Sequence, residues 1–159
     1  MCEETTVDTP DLLDSVHIAA SPERVWSLVS DVRRMSEWSP QVESTRLRSG
    51  FESVRLGTQF TNRNRDGELV WTTHAEVVRF EPGWEIAFRI EENWVIWSFA
   101  IVPEQAGVEL VQRREAPDGI SDLSLELTNG FMGGVETFTA SMRTGMRSTL
   151  ERIKAEAES

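Results

Sequence analysis

The sequence predicts an α+β fold: a curved antiparallel sheet of about seven strands wrapped on a long C-terminal helix, with two short helices after the first strand. Three observations predict it. A strand-like start near residue 11 gives way to two short helical patterns. Strand and hairpin signals then fill residues 42–115, and from residue 131 to 156 the apolar period becomes helical. A curved sheet closed by a long helix leaves a cavity between them.

Residues 1–10, with Glu3, Glu4, Thr5, Thr6, Asp8 and Thr9, are too polar to bury much and read as a frayed tail. Residues 11–159 are expected to form one domain, a length sufficient for its own core. Leu13, Val16 and Ile18, with Ser15 and His17 between them, suggest a half-buried first strand. Ser21-Pro22-Glu23 then announces a helix: Ser21 can cap it, Pro22 suits its first position, and Glu23 complements its positive end. Val25, Leu28, Val29 and Val32 recur at helical spacing and give that helix one apolar stripe. A second helical turn over residues 33–38 stops at Ser39-Pro40, because the residue before a proline resists helical geometry.

Turn signals at Arg65-Asp66-Gly67, Glu81-Pro82-Gly83, Glu91-Glu92-Asn93 and Gln105-Ala106-Gly107 divide the middle of the chain into antiparallel strands. Alternation assigns their faces. Trp71, Thr73, Ala75 and Val77 are expected to point inward, leaving Thr72, His74 and Glu76 outside; Trp84, Ile86, Phe88 and Ile90 point inward on the next strand. Trp97, Phe99 and Ile101 follow, then Val108, Leu110, Gln112 and Arg114. After Pro117-Asp118-Gly119, the residues Phe131, Val135, Phe138, Met142, Met146, Leu150 and Ile153 step by three or four and share one helix face. Gly130, Gly133 and Gly134 fall in the first part of that helix and predict a bend or loosened turn.

Composition narrows the function. A formal charge of -11 argues against nucleic acid and anionic membranes, which need clustered cations; the Arg residues are scattered and Lys154 is the only lysine. No segment has the length and apolarity of a transmembrane span or the pattern of a signal peptide. The single cysteine, Cys2, allows no intrachain disulfide and fits a reducing cytoplasm. No metal-ligand spacing, nucleophilic triad or phosphate-cradling glycine loop is present, and no cofactor is expected.

Titratable groups for catalysis are few. There is no tyrosine, and the two histidines, His17 and His74, fit surface or packing roles as readily as acid–base ones. Arg114 has two readings: a polar group facing the cavity beside Gln112, or a rim cation paired with Glu115 or another carboxylate. Asn62 and Asn64, following Phe60, extend an apolar alternation in the same way. Of the tryptophans, Trp26, Trp71, Trp84, Trp94 and Trp97 suit a core or a flat platform for a ligand; Trp38, at an element end before Ser39-Pro40, is placed near the cavity mouth.

The string Ile18-Ala19-Ala20-Ser21-Pro22-Glu23-Arg24-Val25-Trp26, the Trp38-Ser39-Pro40 triplet, Gly57-Thr58-Gln59-Phe60 leading to Asn62-Arg63-Asn64, and the stretch 146–154 with Leu150 carry a resemblance. Together with the element order, they make residues 11–157 resemble the helix-grip (SRPBCC/START-like) superfamily, and within it the polyketide cyclase/dehydrase proteins. The resemblance implies a START-like domain with a cavity between the concave sheet and the long helix. It implies as partner a small hydrophobic molecule, a lipid, polyketide or sterol-like compound. The expected lining is Trp38, Phe60, Asn62, Asn64, Trp71, Thr73, Trp84, Phe88, Trp97, Phe99, Gln112, Arg114, Phe131, Val135, Phe138 and Met142. The superfamily hosts carriers, receptors, enzymes and interaction proteins, so three roles stay open: a binder, a cyclase or dehydratase with Arg114 as the candidate catalytic group, or a toxin-like interaction partner.

Overall fold

The computed structural model describes residues 11–118 and 135–159. In chain order the elements are β1 (Leu12–Ile18), α1 (Pro22–Val29), a 3-10 turn (Val32–Arg34), α2 (Met35–Trp38), β2 (Val42–Leu47), β3 (Gln59–Asp66), β4 (Leu69–Glu81), β5 (Glu85–Ile90), β6 (Ile96–Glu104), β7 (Gly107–Glu115) and α3 (Val135–Glu158). The strands form one 7-stranded sheet in the order β1-β7-β6-β5-β4-β3-β2. Every pairing is antiparallel. This is the α+β helix-grip arrangement, with two short helices after the first strand and a C-terminal helix on the sheet.

Local chemistry sets the boundaries. The Ser21 hydroxyl accepts from the Arg24 amide at 3.1 Å, and Pro22 stands where a missing N–H costs nothing. Val25, Leu28, Val29 and Val32 are all buried, so the apolar stripe of α1 is spent on the core. Each such side chain contributes roughly 1.5–3 kcal/mol relative to exposure. The core continues through Ile18, Phe60, Val77, Ile86 and Leu110 of the sheet to Leu150 and Ile153 of α3.

Polar bonds hold α3 to the first strand. The Arg147 guanidinium pairs with Asp14 and donates to the Ser15 carbonyl at 3.0 Å. Lys154 Nζ donates to the His17 carbonyl at 2.8 Å, and Glu158 accepts from the Ala19 amide at 2.8 Å. Arg24 of α1 donates to the Glu156 carbonyl at 3.0 Å, which gathers the short helices and α3 at one end of the sheet.

Two facings differ from expectation. In β1 it is Leu12 that is buried, whereas Leu13 is 56% exposed; Asp14, Val16 and Ile18 share the Leu12 side. Trp84, expected to point inward, is 59% exposed. Its amide bonds back to the Glu81 carbonyl at 2.8 Å, so Trp84 completes the turn and β5 begins one residue later. In β4 the pairing shifts between Val77 and Arg79, which reverses the parity beyond Val77 and brings Phe80 against Trp26 at 5.3 Å. The glycine-containing start expected for the long helix, with Phe131, lies outside the described residues, as do the side chains of Val135 and Phe138.

Candidate functional site

A cavity of about 530 Å³ opens between the inner face of the sheet, the end of α2 and the middle of α3. Strand alternation builds its walls. β4 supplies Trp71 and Thr73, β5 supplies Phe88 and Ile90, β6 supplies Trp97 and Phe99, and α3 supplies Met142, Gly145, Met146 and Thr149. Trp38 closes the end near α2; it is buried, with the Arg34 guanidinium 5.3 Å from its ring centroid. Glu92 and Asn93 of the β5–β6 turn also line the cavity.

Five buried polar side chains line this space: Asn62, Asn64, Gln112, Arg114 and Thr149, whose hydroxyl donates to the Gly145 carbonyl at 2.8 Å. On β3, Asn62 is tied into the scaffold. Its Oδ1 accepts from Thr45 Oγ1 at 2.6 Å, and its Nδ2 donates to Met35 Sδ at 3.5 Å. Asn64 Nδ2 donates to Thr73 Oγ1 at 3.1 Å and to the Trp71 carbonyl at 3.4 Å.

On β7 the arrangement differs. Arg114 is only 6% exposed, and its guanidinium lies 5.9 Å from the Trp97 ring centroid. Burial pushes its pKa down to about 10, so it remains a cation near neutrality. Glu115, offered above as a rim partner, instead pairs with Arg79 at 2.9 Å and Arg113 at 3.6 Å. Gln112 is also 6% exposed, and its Oε1 has no hydrogen-bond partner.

Other expected residues fall elsewhere. Phe60 is fully buried beneath the cavity, edge-on to Phe88 at 5.3 Å. Trp84 is outside it. Both histidines sit on the outer side: His17 Nδ1 is 2.9 Å from Glu104, and His74 Nδ1 is 2.5 Å from Glu92. Sequence reasoning missed Met35, Pro40, Glu92, Gly145 and Thr149. Gly145 and Thr149 follow Met142 by three and seven residues, so the helical period could have found them; the turn residue Glu92 has no periodic signal. Among the described residues there is no group of three or more His, Cys, Asp or Glu side chains that could hold a metal ion. No described helix is long and apolar enough to cross a membrane.

Residues 10–158 match the family model described as polyketide cyclase / dehydrase and lipid transport. The chain belongs to that family. No curated protein matches it in sequence. Among solved structures, it is similar to the polyketide cyclase-like protein Cgl2372 from Corynebacterium glutamicum, with 29% identity and a TM-score of 0.62 over 91% of this chain and 88% of that one. It is also similar to the aromatase/cyclase Zhui from Streptomyces sp. R1128, at 17% identity and a TM-score of 0.70 over 94% and 93% of the two chains. A third similar structure is the di-domain aromatase/cyclase StfQ of the steffimycin biosynthetic pathway, at 16% identity and a TM-score of 0.74. This chain, 93% of it aligned, spans 50% of StfQ's length. At such identities the last two likenesses establish the fold alone.

Proposed function

We propose that this member of the polyketide cyclase/dehydrase and lipid transport family binds a small hydrophobic molecule, a polyketide, lipid or sterol-like compound, inside the cavity between sheet and α3. One observation carries the reading: a space of about 530 Å³ walled by Trp71, Phe88, Trp97 and Phe99, with buried polar side chains at a few points. That is the composition of a small-molecule site, in which apolar burial gives affinity and a few hydrogen bonds fix orientation. The net charge of -11 favours a neutral apolar ligand over nucleic acid, and the lone cysteine suits work in the cytoplasm.

The test is native mass spectrometry of protein purified from its own host, with extraction and identification of whatever copurifies. A stoichiometric hydrophobic adduct, weakened or lost in Phe88→Ala, supports the reading. An adduct bound equally well by Phe88→Ala overturns its placement in this cavity.

A second reading is a true cyclase or dehydratase, and Arg114 favours it. A cation held in a dry pocket polarises a carbonyl more strongly than one in water, and a pocket that folds a poly-ketone lowers its barrier by orientation. The aromatase/cyclases with the same fold support this reading by analogy only. Turnover of a poly-ketone that falls in Arg114→Ala would establish it; full activity in that variant would remove the assigned role.

A further inference from the structure

We infer that Gly145 sets the width of the ligand that the cavity accepts: it leaves an apolar notch in the wall made by α3, and the notch admits a rigid hydrocarbon body broader than a single chain. This rests on the proposed binding of a hydrophobic small molecule and adds to it the residue that selects among such molecules by shape.

The cavity face of α3 is a stripe of residues, Met142, Gly145, Met146 and Thr149. Spacings of three and four place them above one another on a single side of the helix. The others have side chains of ordinary bulk, whereas Gly145 has none. It stands near the middle of α3, where glycine is among the least favourable residues for a helix.

No usual structural reason for a glycine applies at this position. Its φ is not in the left-handed region that favours glycine. The helix runs through it from Val135 to Glu158, so it ends no element. Nor does a neighbouring backbone press against it: among the described residues a Cβ would approach only Pro40 Cγ, at 4.0 Å, an ordinary van der Waals distance. An alanine would therefore fit and would strengthen the helix. What a side chain would take away is room between α3 and Pro40, both of which line the cavity.

The walls of the notch set its chemistry. Pro40 offers ring carbons, and the Gly145 carbonyl accepts from Thr149 Oγ1 at 2.8 Å, so the hydroxyl one turn away is spent on the helix itself. Met142 and Met146 are unbranched and polarisable, and adapt to the outline of whatever lies against them. The sheet side of the cavity is aromatic, with Trp71, Phe88, Trp97 and Phe99. A slender acyl or polyene chain can lie along that aromatic wall without entering the notch. A flat fused-ring body, broad and rigid, gains contact by filling it.

The experiment is fluorescence titration of the intact protein with pyrene, a broad fused-ring hydrocarbon, and with 1,6-diphenylhexatriene, a slender polyene. Both are uncharged and lack polar groups, so shape alone distinguishes them. Wild-type protein is expected to bind both. In Gly145→Leu the affinity for pyrene is expected to fall about tenfold or more, the cost of forcing methylenes into an occupied site, while that for diphenylhexatriene changes less than about twofold. Gly145→Ala, which is expected to melt no lower than wild type, should lose about two- to threefold for pyrene alone. Pyrene refused by wild type while diphenylhexatriene binds, pyrene retained in full by both variants, or a loss shared equally by the two probes overturns the role of Gly145 and leaves the hydrophobic cavity reading intact. Binding of neither probe by wild type overturns both. The alanine variant decides the matter if leucine prevents folding.

Discussion

The guanidinium of Arg114 lies 5.9 Å from the centroid of the Trp97 indole, and the two residues are direct partners across β6 and β7. Two opposing effects meet there. Burial disfavours the charge and lowers the pKa of Arg114 to about 10, a penalty of about 3 kcal/mol. The ring face returns roughly 0.5–2 kcal/mol of it. The guanidinium is thus kept in the cavity wall against the cost of burying a charge.

Arg114→Met removes the burial penalty together with the contacts that offset it, and the urea midpoint of the variant, at an unchanged slope, reads the difference. The pH dependence follows from the direction of the shift. A cation whose folded pKa is depressed carries its full penalty below the folded value, and the penalty fades only as pH rises above about 10 towards the unfolded value. The stability difference between Arg114→Met and wild type should thus be the same at pH 6 and pH 9. A difference that changed between those two values would mean that some other titrating group controls the energy of this residue.

Thr45→Val should separate the scaffold role of Asn62 from any role in binding. The Thr45 hydroxyl donates to Asn62 Oδ1 at 2.6 Å, and valine keeps the shape while removing the donor. The expected cost is about 1–2 kcal/mol of stability, with no loss of the hydrophobic adduct. Unfolding curves and native mass spectra on the same sample would check both halves.

Strand alternation made β7 readable from sequence. Val108, Leu110, Gln112 and Arg114 run without a bulge and all are buried. The α1 stripe and the Ser21 cap were equally legible, because capping and helical period are local. What sequence could not reveal depends on pairing. The parity change beyond Val77 arises only where β4 meets β5. Neither that Gln112 lacks a donor nor that Asn62 has two partners can be seen without knowing that Phe99, Asp14, Thr45 and Met35 lie beside them. Trp84 was misplaced because the turn after Glu81 is one residue longer than the Pro82-Gly83 signal implies.

Trp84→Ala tests that placement. With its side chain outside the cavity, the substitution is expected to change stability by no more than about 0.5 kcal/mol and to leave ligand affinity unaltered. Trp97→Ala, which removes a cavity wall and the ring beneath Arg114, should weaken binding. Loss of affinity in Trp84→Ala would contradict the outward position.

Two glycines should respond to the same substitution with opposite signs. Gly107 opens β7 at a φ of +142°, and a Cβ there would lie 2.1 Å from the Ile18 carbonyl oxygen. That contact involves backbone on both sides, and Ile18 is fixed by its pairing with Val108, so neither chain can yield without breaking the β1–β7 ladder. Gly107→Ala is expected to cost about 3 kcal/mol or more through strain and clash together. Gly145 sits inside α3, where a Cβ would meet only Pro40 Cγ at 4.0 Å, an ordinary contact. Gly145→Ala should therefore gain about 0.5–1 kcal/mol from helix propensity while narrowing the cavity slightly. Thermal unfolding of the two variants side by side would measure both. A Gly107→Ala protein as stable as wild type would mean that β7 does not approach Ile18 this closely, and the register that puts Gln112 and Arg114 on the cavity wall would fall with it.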